Sequence, residues 1–219
     1  MWTEVLTKLD QLKAYDSRHQ VFGAKNHRYE RNELLSAEKI RQAASNLGVE
    51  LPIELVEFYK TIGNGIVGPC YGLLPIEKLR TYQADQVYPG AAYFKALAKK
   101  HKDGHVYPNG SWELDQDELK GLLVIIPEGS GHEICLATKG TRRGQVVYVS
   151  TNGMVHDSIF NLIDLYHNWL DRELEIFDFM LDLLDKQLKE EEIIQKVRTK
   201  YQVYNEKERL LGLITYRQD

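Results

Sequence analysis

The chain is poor in cysteine, in long apolar runs and in charge of a single sign, and each shortage excludes a class of protein. Its 219 residues include only two cysteines, Cys70 and Cys135. That is too few for a disulfide scaffold or a multi-cysteine zinc site, and they read as free thiols of a reducing compartment. No stretch approaches the ~18 apolar residues of a membrane span. The opening MWTEVLTKLDQLKAYD carries charges throughout and lacks the apolar core of a signal peptide, so a cytoplasmic location is expected. Lysine plus arginine total 28 against 32 for aspartate plus glutamate, a net charge of -4. A cationic nucleic-acid binder is therefore not expected, and neither is a membrane partner. Internal repeats and low-complexity tracts are also missing.

What is present is an ordinary globular composition, with hydrophobic residues at 43% and charged residues at 27%. These values support a folded core and argue against wholesale disorder. Trp2, Val5, Leu6, Leu9 and Leu12 have helical spacing. Ser36 precedes Ala-Glu-Lys and an apolar stripe, Ile40, Ala43, Ala44 and Leu47, that ends at Gly48, which predicts a capped helix. Leu51-Pro52 opens another helix, stopped by Gly63-Asn64-Gly65, and the glycine- and proline-rich stretch 63–75 reads as a shaped loop. Ala91 to His101 has a helical pattern, and 102–120 reads as a loop. Three β-rich runs then follow at residues 122–126, 133–138 and 145–150, with glycine turns between them. They predict an antiparallel meander. From Phe160 to Leu188 apolar residues recur at alternating spacings of three and four, with His167 in the seam. The first half should pack on the sheet. The second half is expected to form a helical extension over 176–219 outside a domain of residues 1–175. The final apolar stretch 209–216 fits either an added strand or a helix end.

Several constellations that suggest chemistry fail on context. Gly63-Asn-Gly-Ile-Val-Gly68 fits the dinucleotide pattern G-x-G-x-x-G, but a helix precedes it where a strand is required. His101 and His105 have the spacing of two ligands on one helix face, but Gly104 interrupts and no third ligand is suggested. Ser130 lies between glycines in a hairpin rather than at a strand-to-helix elbow. His167 reads as a half-buried histidine. The acidic residues beyond 171 read as a solvated face or as a surface for a basic partner. No nucleophile, base and orienter converge, so the chain is expected to be neither an enzyme nor a holder of metal or cofactor.

Leu47-Gly48-Val49-Glu50-Leu51-Pro52, then Glu57-Phe58-Tyr59, Asn64-Gly65, Gly68-Pro69 and Tyr71-Gly72-Leu73-Leu74-Pro75 resemble the SUKH superfamily, the Smi/Knr family. Phe22-Gly23-Ala24 with His27-Arg28-Tyr29 resembles a segment found before the Leu-Pro helix in bacterial members. The likeness covers about 20–175. It departs at Ile66, where the family's N-G-G has its second glycine. The resemblance implies an α+β fold with a central, mainly antiparallel sheet flanked by helices. For bacterial members it implies immunity: binding and occluding a cognate toxin, often a nuclease. The alternative it implies is a regulatory or scaffolding module of the cell-wall-synthesis regulator type. No cofactor or catalytic residue is implied.

The family-motif positions and candidate partner face are then Leu51, Pro52, Phe58, Tyr59, Asn64, Gly65, Gly68, Pro69, Tyr71 and Gly72, with Tyr88 and Trp112 from the tyrosine-rich region 80–120 (Tyr82, Tyr93, Tyr107). Tyrosine and tryptophan suit interface anchors, and part of this set is expected in the core. The seam from Ile163 to Leu188 adds a homodimer through the C-terminal helix as a further expectation.

Overall fold

In the computed structural model, which describes residues 2–100, 116–150 and 154–218, a five-stranded sheet runs in the order β1 (Arg80–Tyr82), β2 (Leu122–Gly129), β3 (His132–Ala137), β4 (Val146–Ser150) and β5 (Val155–Asp157). Every neighbouring pair is antiparallel, so sequence order is spatial order. The expected three-strand meander forms its centre. The two added edge strands are three residues each, too short to leave a periodic signal.

The three central strands are apolar over most of their length because both sheet faces are covered. Leu123, Ile134, Leu136 and Val146 face one core, and Leu122, Val124, Cys135, Val147 and Val149 face a second. The β2–β3 register shifts between Val124 and Ile126, so that the bulged Ile125 and the next residue, Ile126, both join the first core.

The first face carries the helices α1 (Trp2–Tyr15), α4 (Ile53–Thr61) and α6 (Leu162–Asp185). Trp2, Phe58 and Tyr166 meet at its centre, their rings 5.3–5.6 Å apart. The second face is covered by Tyr88, by Phe94 of α5 (Ala91–Lys100) and by Leu119. Between α1 and α4 lie a single turn, α2 (Ala24–His27), and α3 (Ala37–Leu47). Ser36 Oγ accepts from the Lys39 N–H and Gly48 takes a left-handed conformation, the cap and stop that the sequence predicts.

The region beyond residue 175 is helical and folds back. Helix α6 runs unbroken across the expected boundary at 175/176. It ends where Gln187 adopts φ 56, with Gln187 N–H on Leu184 O at 2.9 Å and Leu188 N–H on Leu183 O at 3.3 Å. This is a Schellman stop built without glycine. Helix α7 (Glu190–Tyr201) begins on the acidic run, whose carboxylates favour a helix N-terminus, and Glu192 accepts from the Lys189 N–H. Arg198 then grips Glu206 through two hydrogen bonds, joining α7 to α8 (Glu206–Gln218). The 209–216 stretch is therefore helix. Leu210 and Leu213 enter the first core, Ser17 Oγ donates to Gly212 O at 3.1 Å, and Tyr15 packs on Tyr216 at 5.3 Å. Of the seam residues, Ile163, Leu170, Leu174 and Phe177 are buried within the chain.

Candidate protein-binding face

The segment from Ile62 to Leu79 joins α4 to β1 and is tied down on every side. Asn64 does most of this. Its backbone N–H donates to Glu33 O at 2.9 Å, and its carbonyl accepts from the Asn32 side chain at 2.8 Å. Its Oδ1 accepts from Ile76 N–H at 2.8 Å while Nδ2 donates to Glu77 at 3.0 Å. That amide, first among the causes, holds the Glu77 carboxyl below the usual range. Gly65 sits at φ 77, and a Cβ there would lie 2.6 Å from Pro75 N. Ile66 also takes φ 77, the place where the family pattern has glycine. A β-branched residue is strained there by roughly 1–2 kcal/mol. Its N–H donates to Leu73 O at 2.7 Å and it bridges to Arg31, so the surrounding contacts hold it.

Further along, Gly68 lets Tyr166 approach: a Cβ would be 2.4 Å from the Tyr166 hydroxyl, which donates to Val67 O at 2.7 Å. Pro69 is buried, and its carbonyl accepts from the N–H of buried Gly72 at 2.9 Å. Tyr59 Oη donates to Leu74 O at 2.9 Å, and Leu74 N–H donates to Ile125 O at 2.8 Å, fixing the loop to the sheet. Upstream, Gly23 packs so closely that a Cβ would meet Cys70 O at 1.4 Å. The buried Asp16 carboxylate shapes this upstream turn by accepting from Gln20 N–H, Val21 N–H and Tyr29 Oη at 2.7, 2.9 and 2.6 Å.

Most of the expected face is therefore interior. Leu51, Pro52, Phe58, Tyr59, Gly65, Gly68, Pro69 and Gly72 are buried and shape the loop from within, and Asn64 is half-buried. Tyr88 is a correction of the same kind. It is 2% exposed, and its hydroxyl donates to Asp157 of β5 at 2.6 Å, so it pins the cover of the second sheet face. Tyr71 reaches the surface, 39% exposed, beside Phe22, 58% exposed, with ring centres 5.4 Å apart. Phe22 belongs to the upstream segment, far from the loop in sequence, and the fold brings it to Tyr71. Trp112, Tyr107, His101 and His105 lie outside the described residues.

Helix α3 forms a ridge between two grooves. One groove, of about 520 Å³, lies toward α4 and includes Leu51, Pro52 and Ile53. The other, of about 860 Å³, lies toward Asn64 and the turn at Ile76–Lys78. Of α3, only Ile40 is fully buried.

The polar chemistry of the interior is structural. Burial pushes the Cys135 thiol up to about 12, and burial with the Glu128 carboxylate does the same for Cys70. Neither is a ready nucleophile. His27 is held down to about 4 by burial first and by His19 second, and its Nδ1 accepts from Tyr29 N–H at 3.1 Å. Ser130 takes φ 50 in the β2–β3 turn, as the hairpin reading expects. Among the described residues no group of three or more histidine, cysteine, aspartate or glutamate side chains could hold a metal ion, and no helix is long and apolar enough to cross a membrane.

An antiparallel meander packed between helices, with a glycine-pinned loop feeding its first strand, defines an α+β domain whose signature residues serve its shape. Residues 34–171, more than half of the chain, match the SMI1 / KNR4 family (SUKH-1), and the chain belongs to that family. Comparison with curated proteins and with solved structures returns no match. The family is compatible with immunity-type roles and with Smi/Knr-type regulatory roles, and its members are generally non-enzymatic binding domains.

Proposed function

We propose that this protein is a non-enzymatic binding domain of the immunity type, which seats on a cognate toxin and occludes its active surface. The observation that carries the reading is where the signature residues go. They build a tied-down loop that presents Tyr71 outward, with Phe22 of the upstream turn beside it. Large aromatics on a rigid support lose little entropy on docking and suit interface anchors.

The test is capture of the tagged protein from its host's lysate, followed by co-expression with whichever toxin domain is recovered. Support is one stoichiometric partner whose toxicity is relieved by the wild-type chain. Relief should be weakened at least tenfold by Phe22→Ala with Tyr71→Ala, at unchanged folding stability. Recovery of cell-wall or regulatory proteins without a toxin would replace this reading with that of a regulatory module.

A further inference from the structure

The larger of the two grooves beside α3 has a composition that specifies a partner. Its lining residues run from the Ser36 cap through Lys39 and Ala43 to Leu47 of α3, so it follows the helix for its whole length. Eleven residues at 1.5 Å rise give about 16 Å, three turns of a docked helix. The floor is apolar: Leu35, Ala43, Leu47, Ile76 and Leu79. The rim carries three carboxylates, Glu33, Glu38 and Glu77, against one amine, Lys39, which is already engaged by Glu33 at 3.1 Å. Asn64 holds Glu77 in place and ionised. The family's signature asparagine thus sets one wall of this groove. The neighbouring groove lacks this bias: Arg41, Lys60 and Arg143 face Glu50 and Glu54, and Arg143 is tied to Glu50 at 2.8 Å.

We propose that this groove receives a cationic amphipathic helix of the partner protein, with apolar side chains on the floor and lysine or arginine against Glu38 and Glu77. The proposal rests on the protein-binding reading above and names the chemistry of what binds. Charge complementarity selects this occupant, because a helix with an acidic rim would meet uncompensated carboxylates along the same edge.

The probe is a pair of synthetic 14-residue helical peptides, leucine on one face and either lysine or glutamate on the other, titrated into the isotope-labelled full chain. The lysine peptide is expected to shift the methyl signals of Leu47, Ile76 and Leu79, and the glutamate peptide to leave them in place. Glu38→Lys with Glu77→Lys should weaken the lysine peptide about tenfold, since exposed pairs contribute modestly each. Glu54→Lys, in the other groove, should change its affinity less than twofold. Equal binding of both peptides, shifts elsewhere, or no binding of the lysine peptide would overturn the proposal. So would self-association of the chain abolished by the double variant, which would make a second copy the occupant. A captured toxin that binds the double variant as tightly as wild type removes the groove proposal and leaves the immunity reading. A groove that takes the lysine peptide in a chain with no toxin partner does the reverse.

Discussion

His27 shows what a single buried residue contributes. Its ring is 1% exposed, touches Tyr29 at 5.1 Å and Trp169 at 6.3 Å, and accepts a backbone hydrogen bond. The unfolded chain takes up this proton near pH 6.5 and the folded chain only near 4. The stabilisation is therefore complete above about 6.5 and is lost as pH falls toward 4, roughly 3 kcal/mol in all. His27→Asn, which keeps an acceptor for the Tyr29 N–H, is expected to flatten that part of the profile of urea midpoint against pH.

Ile66 makes the opposite point, that a favourable side chain can sit on an unfavourable backbone. Replacement by glycine should relieve the left-handed strain, and replacement by alanine should retain it. Ile66→Gly is expected to be more stable than Ile66→Ala by about 1 kcal/mol in chemical denaturation, reversing the usual order of the two residues. The sequence flags Ile66 as a departure from the family pattern. It cannot show that the backbone follows the pattern all the same, because the bond to Leu73 and the bridge to Arg31 exist only once the loop is folded.

At the scale of elements, helices with chemical end signals were legible, such as Ser36 and Gly48 around α3. The end of α6 was not, because its Schellman turn uses Gln187, and an uninterrupted apolar stripe invites a longer helix. Burial could not be read for α4 either: Phe58 and Tyr59 point inward while Ile53 is 64% exposed.

Helix α8 docks by a device that no periodicity reveals. Arg209 bonds Glu173 of α6 at 2.6 Å with side chains 5% and 12% exposed, and it lies over the Phe177 ring. Removing one member leaves the other charge buried. Arg209→Leu is expected to cost about 3–5 kcal/mol, and the double change Arg209→Met with Glu173→Met to come near wild type. Both are read from unfolding midpoints. The exposed pair Lys186–Asp182 should cost under about 1 kcal/mol by the same assay.

For the molecule as a whole, the α+β class and the central meander were legible because strand runs, glycine turns and helical stripes each leave a periodic trace. Which surface faces a partner was not. The motif residues are memorable in the sequence because the loop needs them, and that same need takes them inside. Phe22 and Tyr71 are 49 positions apart in sequence, and the grooves beside α3 arise from tertiary packing alone. The α6 seam was legible as a seam, but its filling was not. Its buried residues are met by α1 and by the returning α7 and α8, so pairing two chains through it would require those helices to lift away. Sedimentation equilibrium is accordingly expected to return the single-chain mass of 25.4 kDa at micromolar concentrations. A dimer mass would show that the helices open.

The contact between α1 and α8 also sets an order of events in time. Ser17 meets Gly212 across 195 positions, and α1 rests on α6 and α8 as well as on α4. During synthesis at ~5–20 residues per second, the apolar face of α1 emerges before α8 and waits on the order of ten to forty seconds for this last cover. Until α4, α6 and α8 have each arrived, the stripe of Trp2, Val5, Leu9 and Leu12 lacks part of its native cover, and uncovered apolar surface of this kind is what makes a nascent chain prone to aggregate. The helix that completes the native core is thus also the last to close over that stripe.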